Sequence, residues 1–420
     1  MMNRNLALIV IGQAISSMGD YLYLITLQVW VLALYSSTIA VSGVTLAEFL
    51  AGLLIGPVAG VFVDRWNRRR TAIVASSGQA LAALLPILAP GVLRLPAIYA
   101  SVFLIFLLAS FTTPALSGLL QVVVESKQIP QAVSIIQSTL ALASIVGSLL
   151  VTPLYLTIGP TGVLLIDAAS FLIAVLCLSF LQAPLMALHP YAFRKGEDAG
   201  KGIGSWLREL IAGLRLVVTT RILLIVCMIV LIGLLGAGAL QPISVVFIKQ
   251  YLRVNSALSG LMIGAMGAGT LVGLIGAGML AKWIAPRYLL IGGAFLLGLS
   301  IVVYSFQTIF LAALIVNLVI GIQAGSLQVG YLSVLMSATP KDMIGRVQAL
   351  MQTGVSAMGF VSAGLAGYLG QFLPVNSIFA VSGILVALAG LSGWLALRGA
   401  KQGKNSYSHY EESVKEKRSS

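Results

Sequence analysis

Charge is what this sequence has least of. Asp, Glu, Lys and Arg together make up 9% of its 420 residues, against roughly a quarter in a soluble domain. With 59% hydrophobic residues and a mean hydropathy of +1.03, the chain cannot present a surface to water over most of its length. It reads as an integral membrane protein. Cysteine is scarce as well: Cys177 and Cys227 both sit in apolar runs, which excludes a disulfide framework. His189 and His409 stand alone in a loop and a tail, so no metal centre can be built from them and no cofactor is expected. There is no G-x-x-x-x-G-K-[ST], which excludes nucleotide hydrolysis by that route, and no nucleophile–base constellation, so the chain is not read as an enzyme. The short alternating segments of a membrane β-barrel are missing too.

What is present is a series of long apolar runs, which predicts an all-α integral membrane protein with twelve transmembrane helices in two six-helix pseudo-repeats. Cutting at charges, Pro and Gly gives spans near 6–35, 39–63, 71–90, 95–117, 132–158, 161–183, 222–248, 257–281, 286–306, 309–337, 345–370 and 376–398. Short turns at Ser36-Ser37-Thr38 and Gly159-Pro160 part helices that would otherwise read as one. Four regions follow: a bundle over 1–184, a cytoplasmic linker over 185–221, a second bundle over 222–398, and a polar tail over 399–420 expected to be disordered. Within the linker, Ser205–Leu216 is amphipathic, with Trp206, Leu207, Leu210, Ile211 and Leu214 on one face. It suits a helix lying on the membrane surface, or equally a plain connector.

The net charge of +13 would ordinarily point to nucleic acid. Here the basic residues sit in loops and tails, where topology explains them, and no nucleic-acid partner is expected. With the N-terminus inside, all but three of the 25 lysines and arginines fall on the inner side. The exceptions are Arg94, Lys249 and Arg253. That asymmetry places both termini in the cytoplasm of a multi-pass inner-membrane protein.

The most informative loop is GVFVDRWNRRR, Gly60 to Arg70, between the second and third spans. Six plus six helices with Gly60, Asp64, Arg65, Arg68 and Arg69 in the pattern G-x-x-x-D-R-x-G-R-R resemble the major facilitator superfamily. Asn67 stands where that pattern has its second glycine. Asn tolerates left-handed backbone, so the turn is expected to survive. Gly60 permits close helix approach. The resemblance implies that Asp64 docks on a neighbouring helix N-terminus and basic residues, forming a conformational latch with Gly60, Arg65, Arg68 and Arg69. The alternative is that the arginines serve only as topology anchors; Asp64, Arg65 and Arg69 are read as latch residues, and Arg70 as an anchor alone.

LLIDAASFLIAVL, ATPKDMIGRVQAL, FTTPALSGLLQ and GLRLVVTTRILL resemble segments of the macrolide-efflux-like branch of the twelve-helix drug:proton antiporters. The likeness extends to about residue 398. Where such exporters often carry G-P-x-x-G in helix five, this chain reads VGSLLVTP, Val146 to Pro153, so the form of coupling stays open.

Of twelve acidic residues, three fall inside spans: Asp20, Glu48 and Asp167. A charged acid at mid-bilayer costs about 2.5–3.5 kcal/mol, and no Lys or Arg at membrane depth in the first six spans is placed to pair with them. Each is expected to face a water-filled cavity or to carry its proton, the property a proton-coupling residue needs. Asp167 serves equally as a helix-packing device. Gln13, Ser16, Ser17, Asp20 and Gln28 share one stripe of the first helix, as a cavity wall would require. The second six spans hold no acid. Their buried polar residues, Gln241, Asn317, Gln323 and Gln328, either line a substrate cavity together with Gln13 and Gln28 or hold helices together.

The function expected is proton-coupled efflux of an apolar or amphipathic small molecule by alternating access. The partners would be the substrate, protons and the lipid bilayer, with the chain acting as a monomer. An importer or facilitator of a small metabolite, and a non-transporting sensor or scaffold, are the alternatives.

Overall fold

The computed structural model describes residues 4–124, 129–181, 213–238, 240–281, 283–339 and 344–398. Every regular element among them is helical. A chain in lipid must satisfy its backbone N–H and C=O groups internally, and an α-helix does so residue by residue. In order they are α1 (Arg4–Tyr35), α2 (Thr38–Arg65), α3 (Arg68–Ala83), its short continuation α4 (Leu85–Leu88), α5 (Arg94–Val123), α6 (Ile129–Ser179), α7 (Arg221–Ala237), α8 (Leu240–Gln250), α9 (Ser259–Leu280), α10 (Pro286–Ser305), α11 (Phe310–Ala338), α12 (Ile344–Leu369) and α13 (Val375–Arg398).

Two of these depart from one helix per crossing. The 51 residues of α6 would stretch about 76 Å if straight, more than twice the ~30 Å hydrocarbon core. Gly159, with φ 68° and ψ 178°, turns the chain back on itself in a conformation that side-chain-bearing residues avoid. The first arm, 129–158, and the second arm, 160–179, are therefore separate crossings. Conversely, α7 and α8 are two pieces of one crossing. At the other expected turn, Ser36 adopts φ 47°. Ser37 caps α2 there by accepting a hydrogen bond from the Ala40 N–H at 3.3 Å. Twelve crossings result, at the positions the hydropathy pattern gives.

The two sets of six pack alike. In the first, α1 lies against α6, α2 against α5, and α3 against α5 and α6. In the second, α7 lies against α12 and α13, α9 against α11, and α10 against α11 and α13. The pairing order repeats helix for helix, which is the pseudo-repeat expected from the sequence. Of the amphipathic linker segment, 213–216 falls within the described residues, in a helical turn that spans 213–219. There Leu214 is exposed, while Val217 is buried against Leu223, Leu335, Val347 and Met351. The rest of the linker and the tail lie outside the described residues.

Candidate functional site

The site begins at Gly19 on α1. The space a side chain would fill there is taken by Asp167 Oδ1 and Ser170 Oγ from the second arm of α6. Asp167 is fully buried. The Ser170 hydroxyl donates to the Asp167 carbonyl at 2.7 Å and stands 3.3 Å from Asp167 Oδ1. Asp20, the next residue of α1, lies within electrostatic reach of both Asp167 and Glu48 of α2. Asp20 is thus the link between the other two, facing Asp167 of α6 on one side and Glu48 of α2 on the other. Glu48 Oε2 and Asp167 Oδ2 are buried with no hydrogen-bond partner among the described residues. A buried polar atom normally has a partner, so these two carboxylate oxygens stand out among the buried polar groups.

A polar link leads from this cluster into α5. The Tyr23 hydroxyl meets Ser101 Oγ at 2.6 Å. Ser101 in turn donates to the Ile98 carbonyl at 2.9 Å, which leaves Tyr23 as donor to Ser101. Nothing in the local sequence marks Tyr23; an aromatic at helical spacing in an apolar run reads as core.

The six amide side chains divide. Gln28 is buried and donates to Thr45 Oγ1 at 3.2 Å, joining α1 to α2. Asn317 donates to the Met262 carbonyl at 2.6 Å, joining α11 to α9. Both hold helices together in this conformation. Gln323 Oε1 is buried with no partner among the described residues. Gln13 is half-buried, and Gln241 and Gln328 are exposed.

The loop between α2 and α3 differs from expectation at Asn67. Its backbone is extended, φ −68° and ψ 107°, not left-handed. Asn67 keeps the turn by a different device. It is the N-cap of α3, and its side chain accepts from the Arg70 N–H at 3.0 Å. The arginines reach backbone carbonyls. Arg68 Nη1 donates to the Gly118 carbonyl of α5 at 3.0 Å, and its guanidinium fills the room left by the missing Gly118 side chain. Arg69 donates from Nε to the Leu178 carbonyl at 2.9 Å and from Nη2 to the Ser179 carbonyl. A cation there meets the negative end of the α6 dipole and the carbonyls left unpaired at a helix C-terminus. Arg70 is exposed. Gly60, Asp64 and Arg65 end α2; the latch expected of the Asp64 and Arg65 side chains lies outside the described residues.

Two seams join the halves. Along α2 and α12, Gly370 meets Thr38, Gly367 meets Ser42, Gly364 meets Leu46, Gly359 meets Phe49, and Gly52 meets Ser356. Along the first arm of α6 and α9, Gly267 meets Ile145, Gly264 meets Leu149, and Gly260 meets the Ser148 carbonyl. Both sets of contacts run from the end of the molecule that holds Gly159 to about mid-helix.

A bundle of twelve crossings in two like-packed sets is the architecture of a membrane transporter. The comparisons with known proteins agree. The sequence matches the Major Facilitator Superfamily over residues 9–363 and 226–417, and the chain belongs to that family. Its members are transporters and not enzymes. The chain is 24% identical over 401 residues to an uncharacterized MFS-type transporter of Bacillus subtilis, YfiS, covering 92% of each chain. It is 23% identical over 173 residues to an uncharacterized MFS-type transporter of Methanocaldococcus jannaschii, covering 41% of this chain and 44% of that one. Its fold is like that of a mutant of the nucleoside transporter NupG, with TM-score 0.76, 10% identity, and 94% and 100% of the two chains covered. It is also like that of a bacterial homolog of the human lysosomal transporter Spinster in an inward-facing, unoccupied conformation, with TM-score 0.71, 11% identity, and 94% and 96% covered.

Proposed function

We propose that this transporter is a proton-coupled exporter of an apolar or amphipathic small molecule. The observation that carries the reading is that Asp167 packs into the space beside Gly19, that Asp20 lies within electrostatic reach of both Asp167 and Glu48, and that Glu48 and Asp167 each keep a carboxylate oxygen unpaired among the described residues. Acids at membrane depth mark proton relays in transporters. Cargo enters from the cytoplasmic side while the acids are deprotonated, and protonation from outside resets the carrier. The halves 1–184 and 222–398 rock about the central site. With both termini cytoplasmic, as the lysine and arginine asymmetry favours, the end sealed by the two seams faces outward and the conformation is inward-facing. The second six helices, with no acid of their own, supply apolar wall. The loop Gly60–Arg69 then stabilises the opposite, outward-open state through Asp64.

The test starts with a deletion strain screened against a panel of toxic compounds. A compound to which it becomes hypersensitive serves as cargo for vesicles carrying an imposed pH gradient. The expected result is uphill export that Asp20→Asn and Glu48→Gln each reduce at least tenfold while the protein remains folded. Export unchanged in both variants, or accumulation indifferent to an uncoupler, would overturn the reading in favour of a facilitator.

A further inference from the structure

The stretch Val146–Pro153, where the resemblance fails, packs against α1 on one side and reaches the second half on the other. Gly147 faces inward to α1, where an added side-chain carbon would stand 2.7 Å from the Met18 carbonyl. The next residue, Ser148, turns the other way: its carbonyl occupies the space beside Gly260 of α9. One turn further, the Thr152 hydroxyl donates to the Ala257 carbonyl at 2.7 Å, a hydrogen bond from one half to the other. That carbonyl is held in place, because the Ala257 N–H donates to Asn255 Oδ1 at 2.9 Å and Ala257 is fully buried. A bond aimed at a fixed acceptor across a moving boundary has a different meaning from one within a half. It must break whenever the halves part at this end.

We infer that Thr152 is a positioning residue of the transport cycle: its hydroxyl, with the Ser148–Gly260 backbone contact beside it, latches the Gly159 end shut and sets how long the carrier stays in the state seen here. The latch makes no contact with cargo or protons. It rests on the rocking of halves proposed above.

The experiment needs no substrate. Cys177→Ala and Cys227→Ala give a background for spin labels at Ile158→Cys and Phe372→Cys, both exposed and on opposite halves at the sealed end. Distances are measured by pulsed electron resonance in lipid nanodiscs. Losing one interhelical hydrogen bond is expected to lower the closed-to-open ratio about fivefold in Thr152→Val. Thr152→Ser, which keeps the hydroxyl, should restore the wild-type ratio. Gly260→Leu, which thrusts a side chain into the Ser148 carbonyl, should abolish the short-distance population. A label pair in Trp66→Cys and Trp283→Cys, at the other end, should move in the opposite sense and so report rocking and not unfolding. A wild-type ratio in Thr152→Val, or a Thr152→Ser variant as open as Thr152→Val, would overturn the latch. If Gly260→Leu also leaves both label pairs unmoved, the rocking of halves itself is wrong.

Discussion

Most of the close-packed glycines in the two halves meet different things: side chains more often in the first, backbone more often in the second. In the first half several missing side chains make room for a polar or aromatic one, although Gly147 meets the Met18 carbonyl: Asp167 and Ser170 stand beside Gly19, the Tyr99 ring beside Gly43, and the Arg68 guanidinium beside Gly118. In the second half most of them make room for backbone. Gly269 and Gly273 lie on the Leu318 and Ile322 carbonyls, Gly321 and Gly325 on those of Met266 and Thr270, and Gly298 faces Gly383. Helices in lipid gain nothing from hiding apolar surface from lipid; they gain from close packing and from polar contacts. The first half uses both routes. The second half relies mainly on the first route.

The most severe way to break this contrast is to put bulk where backbone meets backbone. Gly321→Leu would drive four carbons into the Met266 carbonyl, and no rotamer avoids it. The expected outcome is loss of most folded protein, measured as the monodisperse fraction in detergent gel filtration. Next in size is loss of chemistry without loss of fold: Asp20→Asn or Glu48→Gln should cut proton-driven export at least tenfold and leave thermal stability in detergent almost unchanged.

A smaller paired test sharpens the comparison. Gly321→Ala should cost about 1–3 kcal/mol through overpacking against fixed backbone, whereas Gly118→Ala meets the far end of a flexible arginine and should cost less than half as much. The measurement is the midpoint of thermal unfolding. If the two shift equally, the distinction between the halves fails. Smaller again, Asn67→Ala should destabilise by about 1 kcal/mol and Asn67→Gly by a few tenths, because a cap is lost in the first and largely tolerated in the second. A left-handed Asn67 would instead make Gly the stabilising choice. Arg70→Ala, on an exposed side chain, should fall within about ±0.5 kcal/mol of wild type.

The helices were legible because each depends on its own neighbours. A run of apolar residues long enough to cross lipid, ended by Ser36-Ser37 or Gly159-Pro160, needs no partner to be recognised. The family was legible in the Gly60–Arg70 loop because that loop keeps its residue types in order. Asn67 was misread for an instructive reason. Asn serves both as a left-handed turn residue and as an N-cap, and the order of letters does not choose between them; the extended entry into α3 does. Asp167 was read as either a packing device or a proton site. Its approach to Asp20 depends on how α1 and α6 are rotated about their axes, and hydropathy is nearly blind to rotation when all sides of a helix are apolar. Gln28 and Asn317 read equally as cavity and as glue, and their hydrogen bonds to Thr45 and Met262 favour glue in this conformation.

By itself the sequence determined that the chain crosses the membrane twelve times, which side its arginines and lysines favour, and that three acids lie at depth in the first half and none in the second. Those properties follow from composition along one strand of chain, where the cost of burying charge or an unpaired peptide is set locally. Only the tertiary structure decided that Asp20 faces both Glu48 and Asp167, that Arg68 and Arg69 clasp the carbonyls of α5 and α6, and that Thr152 reaches across to Ala257. Those are distances between residues far apart in the chain. They are fixed by how closely helices approach, and that approach is set by where side chains are missing.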